Sequence, residues 1–224
     1  MAEEVWRITG FNRHPSVIQS LRDEVLPIVA TEVPLQIATV PCSTGAEALA
    51  IAIELEKERC DYSIEGFDVD ERAIAAATDG RYFINSTSGQ ITGDPHSDHE
   101  YHWSNLASSD KAKFLRESGS NGSTMVHANA RIATKLRFSL LGVQDIPRDS
   151  YDVVFCLNFL RYLTDSRFSP DLPSLEIVSK RLFCSNKSLG ALLIDPTSDK
   201  VGQIRQSLTA QGYTRLREGT YLKS

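Results

Sequence analysis

From Leu35 to Gly80 the chain passes twice from a short apolar run to a longer stretch of helical spacing, and few folds accept that order. Leu35 to Val40 (LQIATV) is mostly apolar over strand length and breaks at Pro41, as a strand covered on both faces does. From Ser43 onward, STGAEALAIAIELEKER sets Leu49, Ala52, Ile53 and Leu55 at helical spacing and predicts a charged far face. Tyr62 to Phe67 predicts a second strand, and Asp70 to Thr78 a second helix ending at Gly80.

The alternation continues further along. Leu136 to Leu141 and Tyr151 to Cys156 read as strands, and Leu175, Val178 and Leu182 space a helix. Leu189 to Ile194 is a strand closed by Asp195-Pro196, and Val201, Ile204 and Leu208 mark a last helix stopped near Gly212. Tyr213 to Leu216 and Thr220 to Leu222 are separated by only Arg217-Glu218-Gly219, which fits a hairpin. Strand-helix alternation implies an α/β, doubly wound and mostly parallel sheet with helices on both faces. The hairpin adds an antiparallel edge. The chain has 224 residues, 41% hydrophobic and 24% charged, which suits one domain over residues 1–224. Residues 83–134 lack steady periodicity and are rich in Ser, Gly, Asn, Asp and His. A loop that long is unusual in a compact domain, so this stretch is expected to be a small inserted subdomain or a mobile excursion.

Composition excludes several classes. No run approaches the length of a membrane span, and the start, Met-Ala-Glu-Glu, is acidic where a signal peptide is basic. A net charge of −5 argues against a nucleic-acid groove. Cys42, Cys60, Cys156 and Cys184 are scattered without a C-x-x-C pair, so a reducing, cytoplasmic setting is expected rather than a disulfide scaffold. His96, His99 and His102, with Asp94, Asp98 and Glu100 among them, form one metal-like cluster. In a Gly/Ser/Asp-rich stretch without Cys they read as a solvated loop, and no metal is expected. Arg131, Lys135 and Arg137 form a small basic cluster that either meets an acidic peptide or is a solvated face.

In doubly wound folds a ligand sits beyond the carboxyl ends of the strands. The first such turn, Pro41-Cys42-Ser43-Thr44-Gly45-Ala46-Glu47, has one glycine and not the G-x-G-x-x-G of a dinucleotide site. Asp68 ends the second strand about twenty residues on, where an acid can accept from a ribose diol. One Gly turn and one strand-end acid without a phosphate cradle suit an adenosyl ligand such as S-adenosylmethionine. The purely structural alternative stands beside this reading. Thr44-x-x-Glu47 is also a capping box, and Asp68 or Asp70 can equally serve as the cap of the next helix.

Four segments in register resemble the CheR-type chemotaxis receptor methyltransferases. Ser43-Thr44-Gly45-Ala46-Glu47-Ala48-Leu49-Ala50-Ile51-Ala52 is similar to the family's STGEEPYSIA, and Thr9-Gly10-Phe11-Asn12-Arg13 to T-x-F-F-R. Asp68-Val69-Asp70 with Gly80-Arg81-Tyr82 is similar to D-I-D … G-x-Y. Phe155-Cys156-Leu157-Asn158-Phe159-Leu160-Arg161-Tyr162 is similar to F-C-R-N-V-M-I-Y. The resemblance implies a class I S-adenosylmethionine-dependent methyltransferase (Rossmann-like) fold acting on a protein glutamate, with the family's N-terminal helical domain absent. It implies that Thr9, Arg13, Ser43, Thr44, Gly45, Glu47, Asp68, Asn158 and Phe159 bind the cofactor, with Gly142 and Val143 giving backbone contacts near the adenine. Arg13 and Tyr162 fall where the family places the residues nearest the methyl. S-adenosylhomocysteine is then the product, and the partner a protein substrate, such as a chemoreceptor or signalling protein, with neither nucleic acid nor membrane insertion involved.

Departures lie on the acceptor side. The motif Arg is Leu157, the segment after the fifth strand is Asp195-Pro196-Thr197-Ser198, and the first Asn of the family's N-x-T is Arg7. Two rivals therefore stand beside the protein-glutamate reading. One is a non-catalytic adapter that keeps the cofactor as a structural ligand, and the other a methyltransferase acting on a small molecule.

Overall fold

A computed structural model of the chain describes residues 14–29, 34–84, 91–92, 110, 112, 114–118, 124–164 and 172–223. Helix α1 (Pro15–Ser20) runs through a π-helical turn (Leu21–Val25) into α2 (Leu26–Val29). Then follow β1 (Leu35–Thr39), α3 (Ala46–Lys57), β2 (Tyr62–Asp68) and α4 (Glu71–Asp79). Strands β3 (Arg81–Ile84), β4 (Ile91–Thr92), β5 (Phe114–Ser118) and β6 (Thr124–Ala128) precede α5 (Ala130–Ala133), β7 (Leu136–Leu140) and β8 (Tyr151–Cys156). A 3₁₀ helix (Leu160–Thr164) leads to α6 (Leu175–Ser185), β9 (Asn186–Ile194), α7 (Pro196–Asp199), α8 (Gly202–Ala210), β10 (Tyr213–Arg217) and β11 (Thr220–Lys223).

Two sheets result. The seven-stranded sheet has the order β10-β11-β9-β8-β1-β2-β7. Its strands from β7 to β9 run parallel, and the terminal hairpin adds β11 and β10 antiparallel. Sequence order reverses between β1 and β8, the crevice where such sheets bind ligands. The second sheet, β4-β3-β6-β5, is antiparallel throughout and stands between α4 and α5 in the sequence. Strand periodicity is not readable there, because its pieces are short and separated by polar residues.

Side-chain alternation divides the core. Ile37, Val153 and Leu193 face one apolar cluster, while Ala38, Val154 and Leu192 face the other. Burial on both faces is why these strands read as nearly unbroken apolar runs. Helix α3 corrects one expectation. Ala50, Ile51, Ala52 and Ile53 are all buried, so no charged face runs its length, and its charges collect at the C-terminal end. There Glu54 meets Lys57 at 2.7 Å and Arg22 at 3.3 Å, and Arg131 meets Glu56 at 2.9 Å. Lys135 lies 3.2 Å from Asp61. Two members of the basic cluster are thus already paired with carboxylates.

Candidate functional site

The site lies where β1, β2 and β8 end. After β1 the chain turns sharply: Cys42 N donates to Phe67 O at 2.8 Å, and Gly45 N to Cys42 O at 3.0 Å. Ser43 (φ 47°) and Gly45 (φ 76°) both occupy the left-handed region. That geometry is natural for glycine and held against preference at Ser43. Gly45 is required by packing as well, since a Cβ there would stand 2.8 Å from the Phe138 ring and 3.1 Å from Ala77 Cβ. The capping-box alternative is not realised. Helix α3 begins at Ala46 with Gly45 as its N-cap and no side-chain cap, because the turn delays the helix past Thr44. Asp70 does cap α4, accepting from Arg72 N and Ala73 N.

Asp68 sits at the centre. One carboxylate oxygen accepts from Ser43 N at 2.7 Å and the other from Asp70 N at 3.0 Å. The residue is 9% exposed, and burial raises its pKa above the ordinary 3.8, opposed by backbone donors from Asp70, Ser43 and Val69. These backbone donors do not exhaust the lone pairs of the two oxygens, which can accept further donors. Beside it opens a cavity of about 570 Å³ whose wall includes Val40, Phe67, Asp68, Val143, Gln144 and Phe159. That volume is in the range of small-molecule and cofactor sites. Val69, also in the wall, is 74% exposed, an apolar side chain available to a flat ligand. Gln144, absent from the sequence reading, adds an exposed amide.

The buried hydroxyls of Ser43 and Thr44 have no hydrogen-bond partner. Buried polar atoms are rarely left so, and in a strand-end turn beside an acid-lined cavity they fit the polar amino-acid end of S-adenosylmethionine. Glu47 is half-buried in the first turn of α3. The thiols of Cys42 and Cys156 are pushed up by burial, so both stay protonated and pack as small apolar groups.

At the end of β8, Asn158 turns in the left-handed region (φ 60°). Its amide donates to Asp195 Oδ2 at 2.8 Å, and its side-chain Oδ1 is 3.0 Å from His14 Nε2. Asp195 is fully buried and also accepts from Ser198 N at 2.8 Å and Ser198 Oγ at 2.6 Å. The 3₁₀ helix that follows carries Arg161 and Tyr162, the Arg161 Nη2 donating to the Tyr162 hydroxyl at 2.8 Å. The structure therefore brings Ser43, Asp68, Val143 and Phe159 to one region, with Asn158 and Tyr162 following on from β8. Gly142 is not in the cavity wall. Thr9 and Arg13 lie outside the described residues, as do His96, His99 and His102. Among the described residues no group of three metal-ligating side chains is gathered, and no helix is long and apolar enough to cross a membrane. The contacts of His14, Arg161 and Asp195 were not readable in the sequence, because they join distant segments or depend on a rotamer.

A family model described as CheR methyltransferase, SAM binding domain, matches residues 7–168. Among solved structures, the chain is similar in fold to a possible exported protein from Bordetella parapertussis. The TM-score is 0.55 at 15% identity, over 95% of this chain and 67% of that one. The YcgJ protein from Bacillus subtilis gives a TM-score of 0.49 at 10% identity, over 90% and 69%. Phosphoethanolamine N-methyltransferase 2 from Haemonchus contortus, in complex with S-adenosyl-L-methionine, gives 0.47 at 9%, over 92% and 38%. The chain thus spans about two thirds of the first two and well under half of the third.

Proposed function

The chain belongs to the CheR methyltransferase family, and from that premise we propose that it transfers the methyl group of S-adenosylmethionine to a carboxylate, the glutamate side chain of a protein. The observation that carries methyl transfer is the cavity beside Asp68, adjoined by a turn with two unpartnered buried hydroxyls. Asp68 would accept from the ribose hydroxyls, while Phe67, Val143 and Phe159 would flank the adenine. Ser43, Thr44 and Glu47 would meet the methionine end.

When bound, the cofactor supplies an electrophilic methyl carbon, to which the acceptor oxygen bonds as the carbon–sulfur bond breaks with its electron pair passing to sulfur. A glutamate of pKa about 4.3 is already an anion at neutral pH, so the protein has no proton to remove. Its task is to hold one oxygen in line, and orientation of that kind supplies about 7–11 kcal/mol. By the family resemblance that task would fall to Arg13 and Tyr162, and the acceptor would belong to a cytoplasmic signalling protein such as a chemoreceptor.

The test is incubation with methyl-labelled cofactor and lysate of the host cell, followed by mild base. A protein-bound label released as methanol supports a carboxylate ester. Base-stable labelled protein overturns the carboxylate assignment. Cofactor that binds without any transfer supports the adapter, and label confined to small molecules supports the small-molecule enzyme.

A further inference from the structure

The turn that follows β7 carries a polar side chain at the cavity wall. Leu141 N donates to Asp68 O at 2.8 Å, and Asp145 N to Gly142 O at 2.9 Å, so residues 142–145 make a tight turn fixed beside Asp68. Val143 and the fully buried Ile146 anchor it to the core. Gln144 is exposed and stands in the cavity wall, while Gly142 is buried and outside it. The Gln144 side chain folds back over Gly142. A Cβ on Gly142 would stand 2.7 Å from Gln144 Nε2 and 2.9 Å from both Oε1 and Cδ. The carboxamide thus occupies the place that a side chain at Gly142 would take. Gly142 is not among the glycines of positive φ, so the room it leaves, and not its conformation, is what the amide uses.

Gly142 and Val143 offer an adenine only main-chain polar groups. A carboxamide offers more, since its carbonyl accepts and its NH₂ donates in one plane. That pair matches adenine, whose 6-amino group donates beside a ring nitrogen that accepts, and glutamine reads adenine in this bidentate way. The surrounding wall suits the rest of a nucleoside, with apolar Val69, Val143 and Phe159 for the ring faces. Asp68 ends β2, and the Gln144 turn follows β7, its neighbour in the sheet. The proposed ribose acceptor and the amide therefore lie at adjacent strand ends, in the order in which a nucleoside presents sugar and base. We infer that Gln144, its carboxamide seated over Gly142, is the specificity-determining residue that recognises the 6-amino edge of the cofactor's adenine. This rests on seating the cofactor beside Asp68 and is independent of the methyl acceptor.

The test is calorimetric titration of the full chain with S-adenosylhomocysteine and with its analogue that lacks the 6-amino group, purine in place of adenine. The native protein should bind the analogue about fivefold more weakly, the worth of one neutral hydrogen bond. Gln144→Leu should bind the two ligands alike. Gly142→Ala should do the same although Gln144 is retained, because its methyl displaces the end of a flexible, exposed side chain. A merely structural role for the turn would weaken both ligands together and keep their ratio. Equal binding of the two ligands by the native protein, or the native ratio kept in either variant, overturns the inference. Asp68→Ala separates that failure from failure of the cofactor site, since it should weaken both ligands equally. If it does so while Gln144→Leu keeps the native ratio, the site stands and the amide contact falls. If Asp68→Ala weakens neither ligand, the cavity does not hold the cofactor and the inference falls with it.

Discussion

The amide of Ser43 donates to Asp68 Oδ2 at 2.7 Å, so the acid in the cavity wall also locks the left-handed turn after β1. On the proposed ribose contact, cofactor binding and turn geometry would therefore depend on one carboxylate. Asp68→Ala should remove a charged acceptor from two backbone donors, costing about 1.5–3 kcal/mol of stability for each. Affinity for S-adenosylhomocysteine should fall more than tenfold. Asp68→Asn keeps one acceptor oxygen, so it should cost less stability yet still weaken binding. Calorimetric titration beside urea unfolding separates the two effects, and unchanged affinity in a folded Asp68→Ala protein removes Asp68 from the ribose contact.

Burial holds the Asp68 pKa above its ordinary 3.8, and a ribose diol needs the anion to accept its hydrogen bonds. On the proposed contact, protons should therefore compete with cofactor. Affinity should be full above the raised pKa and decline as pH falls through it, in a range where exposed carboxylates are still ionised. The sign for folding is opposite. A carboxyl whose pKa is higher in the folded state favours folding at low pH, and that contribution is lost as pH rises through the folded value. Titrations across this acid range should show the binding step in the native protein and not in Asp68→Asn.

Continuous apolar runs made the parallel sheet legible, because Ile37, Ile64 and Val153 lie side by side on neighbouring strands and a strand buried on both faces has no polar alternation to lose. The Gly45 turn and Asp68 were legible from their order alone, since the topology sends both strand ends to the same edge. Other relations had no local signature. His14 meets Asn158 across 144 residues, and Asp195 meets Asn158 across 37. The Thr44-x-x-Glu47 pattern misled because a positive φ at Gly45 moved the helix start, which spacing does not encode. The exposed far face expected of α3 failed for a similar reason, as its spacing shows which residues are apolar and not how many layers cover them.

Asp195 is a buried hydrogen-bonding hub beside the end of β8. Removing its carboxylate in Asp195→Ala strands the Asn158 and Ser198 amides and the Ser198 hydroxyl. Unsatisfied buried donors cost about 1–3 kcal/mol each, so destabilisation should be large and visible in urea unfolding. His14→Ala instead removes the ring that meets the Asn158 side chain and leaves the Asp195 hub intact. It should keep the unfolding midpoint near that of the native protein and weaken cofactor binding or turnover by loosening Asn158. A His14→Ala protein with native binding and turnover shows that this contact does not orient Asn158.

Phe138 closes the floor beneath the turn. A Cβ on Gly66 would lie 2.5 Å from Phe138 Cδ1 and 2.9 Å from Cys42 Cβ, and one on Gly45 2.8 Å from Phe138 Cζ. Gly66→Ala at an extended strand position tests packing without backbone strain, and overpacking of this kind costs about 1–3 kcal/mol. Gly45→Ala adds the left-handed penalty of about 1–2 kcal/mol and should be the worse variant. Phe138→Leu shortens the ring that both methyls would strike, so it should be less destabilising in the Gly66→Ala background than alone. It should not rescue Gly45→Ala fully, since the φ remains. A double-mutant cycle in urea measures the coupling, and strict additivity of Gly66→Ala with Phe138→Leu would show that the ring is not what excludes a side chain from Gly66.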